Sequence, residues 1–379
     1  MNTSLHKLFT VYCLLFTKLT FVASLTCLAG VCLAEDDPVI GEKPLSELIK
    51  QLRSENRGLQ MRASKALVEA PADLKPAIAP KVMPLLKSER ENDKFVAAQV
   101  LGECGPVARP AVPNLLPMLK GTQYERNRAA AAKALGQILK DAKPDKEVED
   151  VADALIAKVN EDYDSYSDVR REAMYAIGMI GPAAKKTIPK FTRGLTDYKE
   201  WSNEHTMVRQ ASAWACGRMG PLAAEHMDRL LAMLQGEGGQ IPEIAEAIGK
   251  IGALNENVVM NLLDKLEGMP GGWFPCKASA LGALEAFGPK SLPALPFLMR
   301  ILPKANGERV DVLEPLIGTT KAIGAMGPAA KEAVPRLEVM AIFQGHPHGD
   351  NTKEKLDALH AAAKVALEQV TGKSGNEKK

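Results

Sequence analysis

A short internal repeat constrains this 379-residue chain more than any other feature. The segment VRREAMYAIGMIGP at residues 169–182 aligns with VRQASAWACGRMGP at residues 208–221, and both end in Gly-x-apolar-Gly-Pro. Seven further segments fit the same frame, the first and the last more loosely. The residues at the position of the frame's Arg, called the Arg position below, are Gln60, Lys94, Arg128, Arg170, Arg209, Ile241, Lys277, Leu316 and His360. Their spacings of 32 to 44 residues predict a repeat protein whose units bury their apolar faces against one another.

Each repeat unit is predicted to be a pair of helices. In the Arg170 copy, small and apolar residues recur with the i, i+3, i+4, i+7 pattern of one helix face, at Ala173, Ala176, Ile177 and Ile180. Gly181 is expected to end this helix in a left-handed conformation. Pro182 suits the first turn of the next helix, whose apolar side carries Ile188, Phe191 and Leu195.

The frame also predicts where helices begin and how closely they pack. The first helices of the pairs are expected to start near Leu45, Lys75, Val107, Asp145, Pro182, Pro221, Asn255, Pro289 and Pro328. Six units carry a glycine eight places after the Arg position, at Gly102, Gly136, Gly178, Gly217, Gly249 and Gly324. Glycine inside a helix costs about 1 kcal/mol relative to alanine. Its recurrence at one position predicts close backbone packing that outweighs this cost.

The motif VRxxAxxAIGxIGPxAxxxIPxL, as it stands at residues 169–191, resembles the HEAT repeats of the bacterial lyase-like class. The resemblance covers about residues 45–372. It implies an all-α fold, an α-α superhelix or solenoid of about nine antiparallel helix pairs that share one elongated core. Residues 35–44 are then a linker and residues 373–379 a polar tail.

The first 34 residues have the pattern of a signal peptide. They contain no Asp or Glu, and an apolar run over residues 19–34 is followed by Glu35, Asp36 and Asp37. Cleavage is expected after Ala34. The 16-residue run is shorter than the roughly 20 residues that span a bilayer, so an uncleaved anchor is the alternative. The sequence thus predicts an exported protein, periplasmic or extracellular, with no membrane span after cleavage.

Charge and cysteine content limit the classes of function. The formal net charge is +2, which gives no global electrostatic reason to bind nucleic acid. Cys104, Cys216 and Cys276 lie far apart in sequence, so they suit neither a disulfide framework nor a metal site and are expected to be buried. His346 and His348 in GHPHGD offer a weak metal site or a solvated turn. No cofactor and no metal are expected.

The basic residues at the Arg position form the first candidate site. These are Lys94, Arg128, Arg170, Arg209 and Lys277. The HEAT resemblance implies that such a residue pairs with an Asp near the end of the preceding helix, for which Asp162 and Asp197 are suitably placed. The alternative is a ligand-binding basic stripe, which requires unpaired donors.

Aromatic residues in the loops within the helix pairs form the second candidate site. They are Tyr163, Tyr166, Tyr198, Trp201, Trp273 and Phe274. In a regular solenoid these loops project from one edge, where exposed Tyr and Trp are typical of protein interfaces. The alternative is that each ring folds back to cap its own helix pair.

The repeat and the export signal together favour a non-catalytic scaffold that binds a protein partner outside the cytoplasm. The alternative is a HEAT-like enzyme of the lyase or metal-dependent hydroxylase kind. The iron-dependent hydroxylases among HEAT-like proteins carry repeated His-Glu dipeptides, which this chain lacks. It also has no nucleophile elbow or phosphate loop, so no catalytic residue is proposed from the sequence.

Overall fold

The structure, a computed structural model, describes residues 37–121, 124–160, 167–196, 203–235, 242–252, 255–268, 274–306, 308, 310, 312–344 and 352–372. These residues form two compact units, with the boundary between Ala70 and Pro71. None of the described helices is long and apolar enough to cross a bilayer.

The first unit holds a hairpin and one helix pair. Strand β1 (Val39–Ile40) pairs antiparallel with β2 (Lys43–Pro44), within the stretch predicted as a linker, and Ile40 is buried. Helices α1 (Leu45–Leu52) and α2 (Arg57–Val68) follow. The Asn56 side chain caps α2 by accepting hydrogen bonds from two backbone N–H groups of its first turn. Gln60, the residue at the Arg position, joins the two helices by donating from Nε2 to the Leu52 carbonyl at 2.9 Å.

The second unit alternates first and second helices, so that odd numbers denote first helices and even numbers denote second helices. The first helices are α3 (Lys75–Val82), α5 (Val112–Gly121), α7 (Lys146–Asn160), α9 (Thr192–Leu195), α11 (Met227–Gln235), α13 (Glu256–Gly268), α15 (Leu295–Ile301) and α17 (Val334–Ala341). The second helices are α4 (Glu91–Cys104), α6 (Glu125–Ile138), α8 (Ser167–Ile180), α10 (Asn203–Met219), α12 (Pro242–Ile251), α14 (Phe274–Phe287), α16 (Glu314–Ala325) and α18 (Lys353–Thr371). Each second helix packs on the next. With α1 and α2, the described residues contain nine helix pairs, which confirms the predicted fold class.

Several first helices begin with a 3₁₀ segment where the sequence predicted one continuous helix. These segments are Gly105–Ala111, Gly181–Lys190, Gly220–His226, Gly288–Ala294 and Gly327–Ala333. Three contain an inner proline, Pro110, Pro189 or Pro293, which lacks an N–H and disfavours a preceding α-helical turn. A 3₁₀ start followed by a short α-helix accommodates that interruption.

The Gly-Pro corners have the predicted backbone conformation. Gly181 has φ +71° and Gly288 has φ +57°, with similar values at the other Gly-Pro corners. A side chain in this left-handed region is strained, so glycine is favoured where a second helix turns into the next pair. After α6, where the Gly-Pro sequence is missing, Asp141 takes a positive φ of +52° and its N–H donates to the Met179 carbonyl of α8.

The recurring helix glycines allow neighbouring second helices to approach closely, as predicted. A Cβ placed on Gly249 would lie 2.8 Å from Ala283 Cα, and one on Gly324 would lie 2.8 Å from Ala366 Cα. A Cβ on Gly136 would overlap Ala176. Contacts this short leave no room for a side chain.

Candidate functional site

The second helices of the second unit share one solvent-facing surface. Residues three and seven places after the Arg position are buried on nearly every one of these helices, whereas those one, five and nine places after it are exposed or half-buried. We call these outer residues the even-helix face. Members five places after the Arg position are Gln99, Lys133, Tyr175, Trp214, Glu246, Gly282, Lys321 and Val365.

Contacts between equivalent positions join neighbouring helices along this face. Gln137 of α6 and Glu103 of α4 both stand nine places after the Arg position of their helix. Gln137 Nε2 donates to Glu103 Oε1 at 2.6 Å. Near the start of the same helices, Arg126 Nη2 donates to Asn92 Oδ1 at 2.6 Å and its guanidinium lies 4.8 Å from the centre of the Phe95 ring. The even-helix face is therefore continuous between α4 and α6.

Two aromatic rings meet on this face between α8 and α10. Tyr175 and Trp214 are half-buried, and their ring centroids lie 5.4 Å apart at an edge-on angle of 65°. Gly178 provides the space for the indole, because a Cβ there would lie 2.5 Å from Trp214 Cζ3. The rings thus rest on the backbone of α8 and keep part of their surface exposed.

Ion pairs lie at both ends of this aromatic pair. At one end Arg218 donates from Nε to the Gly178 carbonyl at 3.2 Å and from Nη2 to Asp141 Oδ1 at 2.5 Å. Its guanidinium lies 6.0 Å from the centre of the Trp214 ring. At the other end Arg171 forms ion pairs with Asp168 at 2.6 Å and with Glu172 at 2.9 Å. Arg171 also contacts the sulfur of Met207, a side chain that is 44% exposed.

A carboxylate from α12 completes the group. Gln210 Nε2 donates to Glu243 Oε1 at 2.7 Å. Burial raises the pKa of the Tyr175 hydroxyl, and the nearby Glu243 carboxylate raises it further, so the phenol is neutral at physiological pH. We call this group the Tyr175–Trp214 patch; it comprises Asp168, Arg171, Glu172, Tyr175, Met207, Gln210, Trp214, Arg218 and Glu243.

Two open grooves, each lined partly by small side chains, lie towards the C-terminus of the even-helix face. One groove of about 420 Å³ lies between α12 and α14, over Ala278, Gly282 and Ala286. Another of about 430 Å³ lies between α16 and α18, beside Ala361 and Val365. The aromatic side chains Phe95, Tyr175 and Trp214 lie instead on α4, α8 and α10.

The aromatic edge-loop site predicted from the sequence falls outside the described residues. This applies to Tyr163, Tyr166, Tyr198, Trp201 and Trp273. Phe274 is the first residue of α14, and its side chain is outside the description. The edge-loop hypothesis remains a prediction.

The basic residues at the Arg position lie in different environments. Lys94 forms an ion pair with Glu91 of its own helix at 2.6 Å, and Arg209 Nη2 donates to Thr206 Oγ1 at 3.2 Å. Arg170 is only 8% exposed, whereas Arg128 and Lys277 are half-buried. The burial of Arg170 favours the structural interpretation at that position. The proposed partners Asp162 and Asp197 lie outside the described residues.

The described histidines make structural contacts, and Cys104 and Cys216 are buried. His226 Nε2 donates to the Ile188 carbonyl at 2.7 Å while its ring stacks on Phe191, and His360 Nε2 donates to the Phe343 carbonyl at 2.7 Å. Burial raises the pKa of Cys104 to about 11 and that of Cys216 to about 12, so both are protonated thiols and poor nucleophiles. Within the described part of the chain, no group of three His, Cys, Asp or Glu residues is arranged to hold a metal ion. His346 and His348 lie outside it.

Comparison with known proteins identifies the fold. No family model and no curated protein matches the chain. Among solved structures, importin beta in an ammonium sulfate condition matches with a TM-score of 0.57 and 18% identity, over 86% of this chain and 48% of importin beta. The fold is a HEAT-like helical repeat. This solenoid spans about half the length of importin beta.

Engineered proteins also match this HEAT-like solenoid. One matches with a TM-score of 0.43 and 16% identity, over 86% of this chain and 98% of its own. Another has a TM-score of 0.42 and 19% identity, over 55% of this chain and 98% of its own. The bacterial lyase-like class inferred from the sequence remains a prediction.

Proposed function

We propose that this HEAT-like solenoid is a non-catalytic scaffold that binds a protein partner through the Tyr175–Trp214 patch and acts outside the cytoplasm. The observation that carries the proposal is the half-buried aromatic pair itself, in which Tyr175 and Trp214 from successive second helices meet on the even-helix face. The centres of protein interfaces are enriched in Tyr, Trp, Met and Arg, and all four residue types occur in this patch. The partner is a protein; neither nucleic acid nor a cofactor is part of the proposal.

The rigidity of the patch supports this proposal. The Trp214 indole lies against Gly178 and beside Arg218, which is itself bonded to α8 and to Asp141. Side chains that are already ordered lose little conformational entropy when a partner binds. Aromatic anchors of this kind commonly contribute about 2 kcal/mol or more to binding when they lie at the centre of an interface.

Comparative capture from the native envelope fraction tests the binding role. The immobilised chain and its Trp214→Ala variant would be incubated with the fraction, and retained proteins quantified by mass spectrometry. We expect at least one retained protein to need a tenfold or higher concentration to half-saturate the immobilised variant. A tenfold loss of affinity corresponds to about 1.4 kcal/mol of binding free energy. The matched control is Met260→Ala on α13, which truncates a side chain that is 43% exposed on a first helix. Equal capture by all three proteins would contradict the proposal.

The proposed location rests on the signal-like residues 1–34. N-terminal sequencing of the protein from its native host should find a mature chain that begins near Glu35. A chain that retains residues 1–34 in a membrane pellet would instead support the anchored alternative.

A further inference from the structure

The Tyr175–Trp214 patch has more carboxylates than cations. Arg171 is held by both Asp168 and Glu172, and Arg218 is held by Asp141. Glu243 differs from these acids because its carboxylate accepts a hydrogen bond from the neutral amide of Gln210. The patch thus holds three carboxylates against two guanidinium groups, and the two carboxylates other than Glu243 both pair with Arg171.

One oxygen of Glu243 is left in an unfavourable environment. Oε2 is buried from solvent, and among the described residues no donor reaches it. A carboxylate oxygen removed from water without a hydrogen bond is destabilising. Such an atom in a native protein needs an explanation, and a bound water, an ion or a functional contact supplies one.

The side chain as a whole is accessible to an incoming donor. Glu243 is half-buried, and the terminal torsion of a glutamate is soft. Rotation of the carboxylate can thus present one oxygen to a ligand while the other retains the Gln210 hydrogen bond. Gln210, which donates to Glu243, stands four residues before Trp214 on α10, so this acceptor lies about one helical turn from the aromatic pair.

We infer, on the basis of the proposed function, that the patch recognises a partner segment that carries a lysine or arginine side chain. The cationic end donates to Glu243, and its aliphatic stem packs on the exposed surface of Tyr175 and Trp214. Long basic side chains commonly combine these two interactions, because their methylene groups cover apolar surface while the charge stays near an acceptor. The partner is thus a protein with a basic segment rather than an acidic or purely apolar one.

Labelled hexalysine and hexaarginine peptides test this inference on the full chain, with hexaglutamate as the opposite-charge probe. Fluorescence anisotropy at low ionic strength should show saturable binding of the basic peptides, with a Kd that rises at least tenfold in Glu243→Gln. The control Glu267→Gln removes the same charge from a 65% exposed side chain on α13 and should change the Kd less than twofold. Absence of saturable binding, tighter binding of hexaglutamate or equal loss in both variants would overturn the inference.

Two further measurements separate this inference from its alternatives. Glu243→Gln should not lower the melting temperature; a lower melting temperature with an unchanged Kd would assign Glu243 a purely structural role and refute the inference. In the capture experiment, loss of the native partner by Trp214→Ala but not by Glu243→Gln would leave the scaffold proposal standing and reject cation recognition. Retention of the partner by both variants would reject the proposed binding surface itself.

Discussion

Arg218 and Asp141 form an ion pair at 2.5 Å although they are 77 positions apart in the sequence. The pair crosses α8, because Asp141 follows α6 and Arg218 belongs to α10. Arg218 also donates to the Gly178 carbonyl of α8 on the way. Three successive second helices are thus linked by one side chain, in addition to the packing of nearest neighbours.

Removing the charge at Asp141 should weaken this link modestly. The two side chains are 34% and 59% exposed, so we expect a coupling of about 0.2–1 kcal/mol in a double-mutant cycle of Asp141→Asn with Arg218→Ala. Chemical denaturation of the four proteins measures it. Asp141→Leu should cost roughly 1–2 kcal/mol more than Asp141→Asn, because a leucine is disfavoured at φ +52°. Equal stabilities for these two variants would contradict the role assigned to the backbone.

Substitution of Gly178 should destabilise the contact between α8 and α10. A Cβ there would lie 2.5 Å from the Trp214 ring and 3.1 Å from Ala215 Cα, so Gly178→Leu should cost roughly 1–3 kcal/mol by overpacking. Hydrogen exchange should lose protection mainly in these two helices and their neighbours. The matched control is Gly282→Ala, where no atom lies within 4 Å of the added Cβ; it should stabilise the protein by roughly 0.5–1 kcal/mol. Destabilisation by both substitutions would show that helix packing does not distinguish the two glycines.

Truncation of Trp201 distinguishes the edge-loop hypothesis from the Tyr175–Trp214 patch. If the loop aromatics bind the partner, Trp201→Ala should weaken binding at least tenfold with little change in melting temperature, because a loop side chain contributes little to the shared core. If the ring instead caps its own helix pair, the melting temperature should fall while affinity stays constant. Parallel titrations of Trp201→Ala and Trp214→Ala with the captured partner show which surface is used.

Stability should decrease at alkaline pH through the buried thiol of Cys216. Burial raises its pKa from 9.0 to about 12, so the unfolded chain releases this proton at lower pH than the folded protein does. The resulting stabilisation is complete below pH 9 and is lost as the pH rises from about 9 to 12. The difference in unfolding free energy between the wild type and Cys216→Ala should fall over that range. A difference that stays constant with pH would refute the assigned burial.

The sequence predicted the repeat elements well because each has a local physical cause. The left-handed corners follow from Gly181 and its equivalents, and the close approach of helices follows from recurring glycines such as Gly249. The 3₁₀ segments were missed because an amphipathic pattern does not distinguish i+3 from i+4 hydrogen bonding, although the inner prolines such as Pro189 were a signal.

The Tyr175–Trp214 patch was missed for a different reason. Within a single helix, an aromatic residue at helical spacing is indistinguishable from a core residue. The available signal was that Tyr175 and Trp214 both stand five places after the Arg position, where Lys133 and Lys321 occupy other copies. The role proposed for Glu243 depends on a contact between α10 and α12, which no local pattern encodes.

The 3₁₀ segments have a consequence for how this chain tolerates insertions and deletions during evolution. Four of them are seven residues long, Gly105–Ala111, Gly220–His226, Gly288–Ala294 and Gly327–Ala333, although the repeat period varies from 32 to 44 residues. One residue added to a 3₁₀ helix turns everything after it by about 120°, since there are three residues per turn, and so rotates the apolar side of the following helix out of the core. In these four units, length changes should therefore be tolerated outside the 3₁₀ segment, chiefly in the stretch between the two helices of a pair, where no apolar side has to keep a fixed rotation.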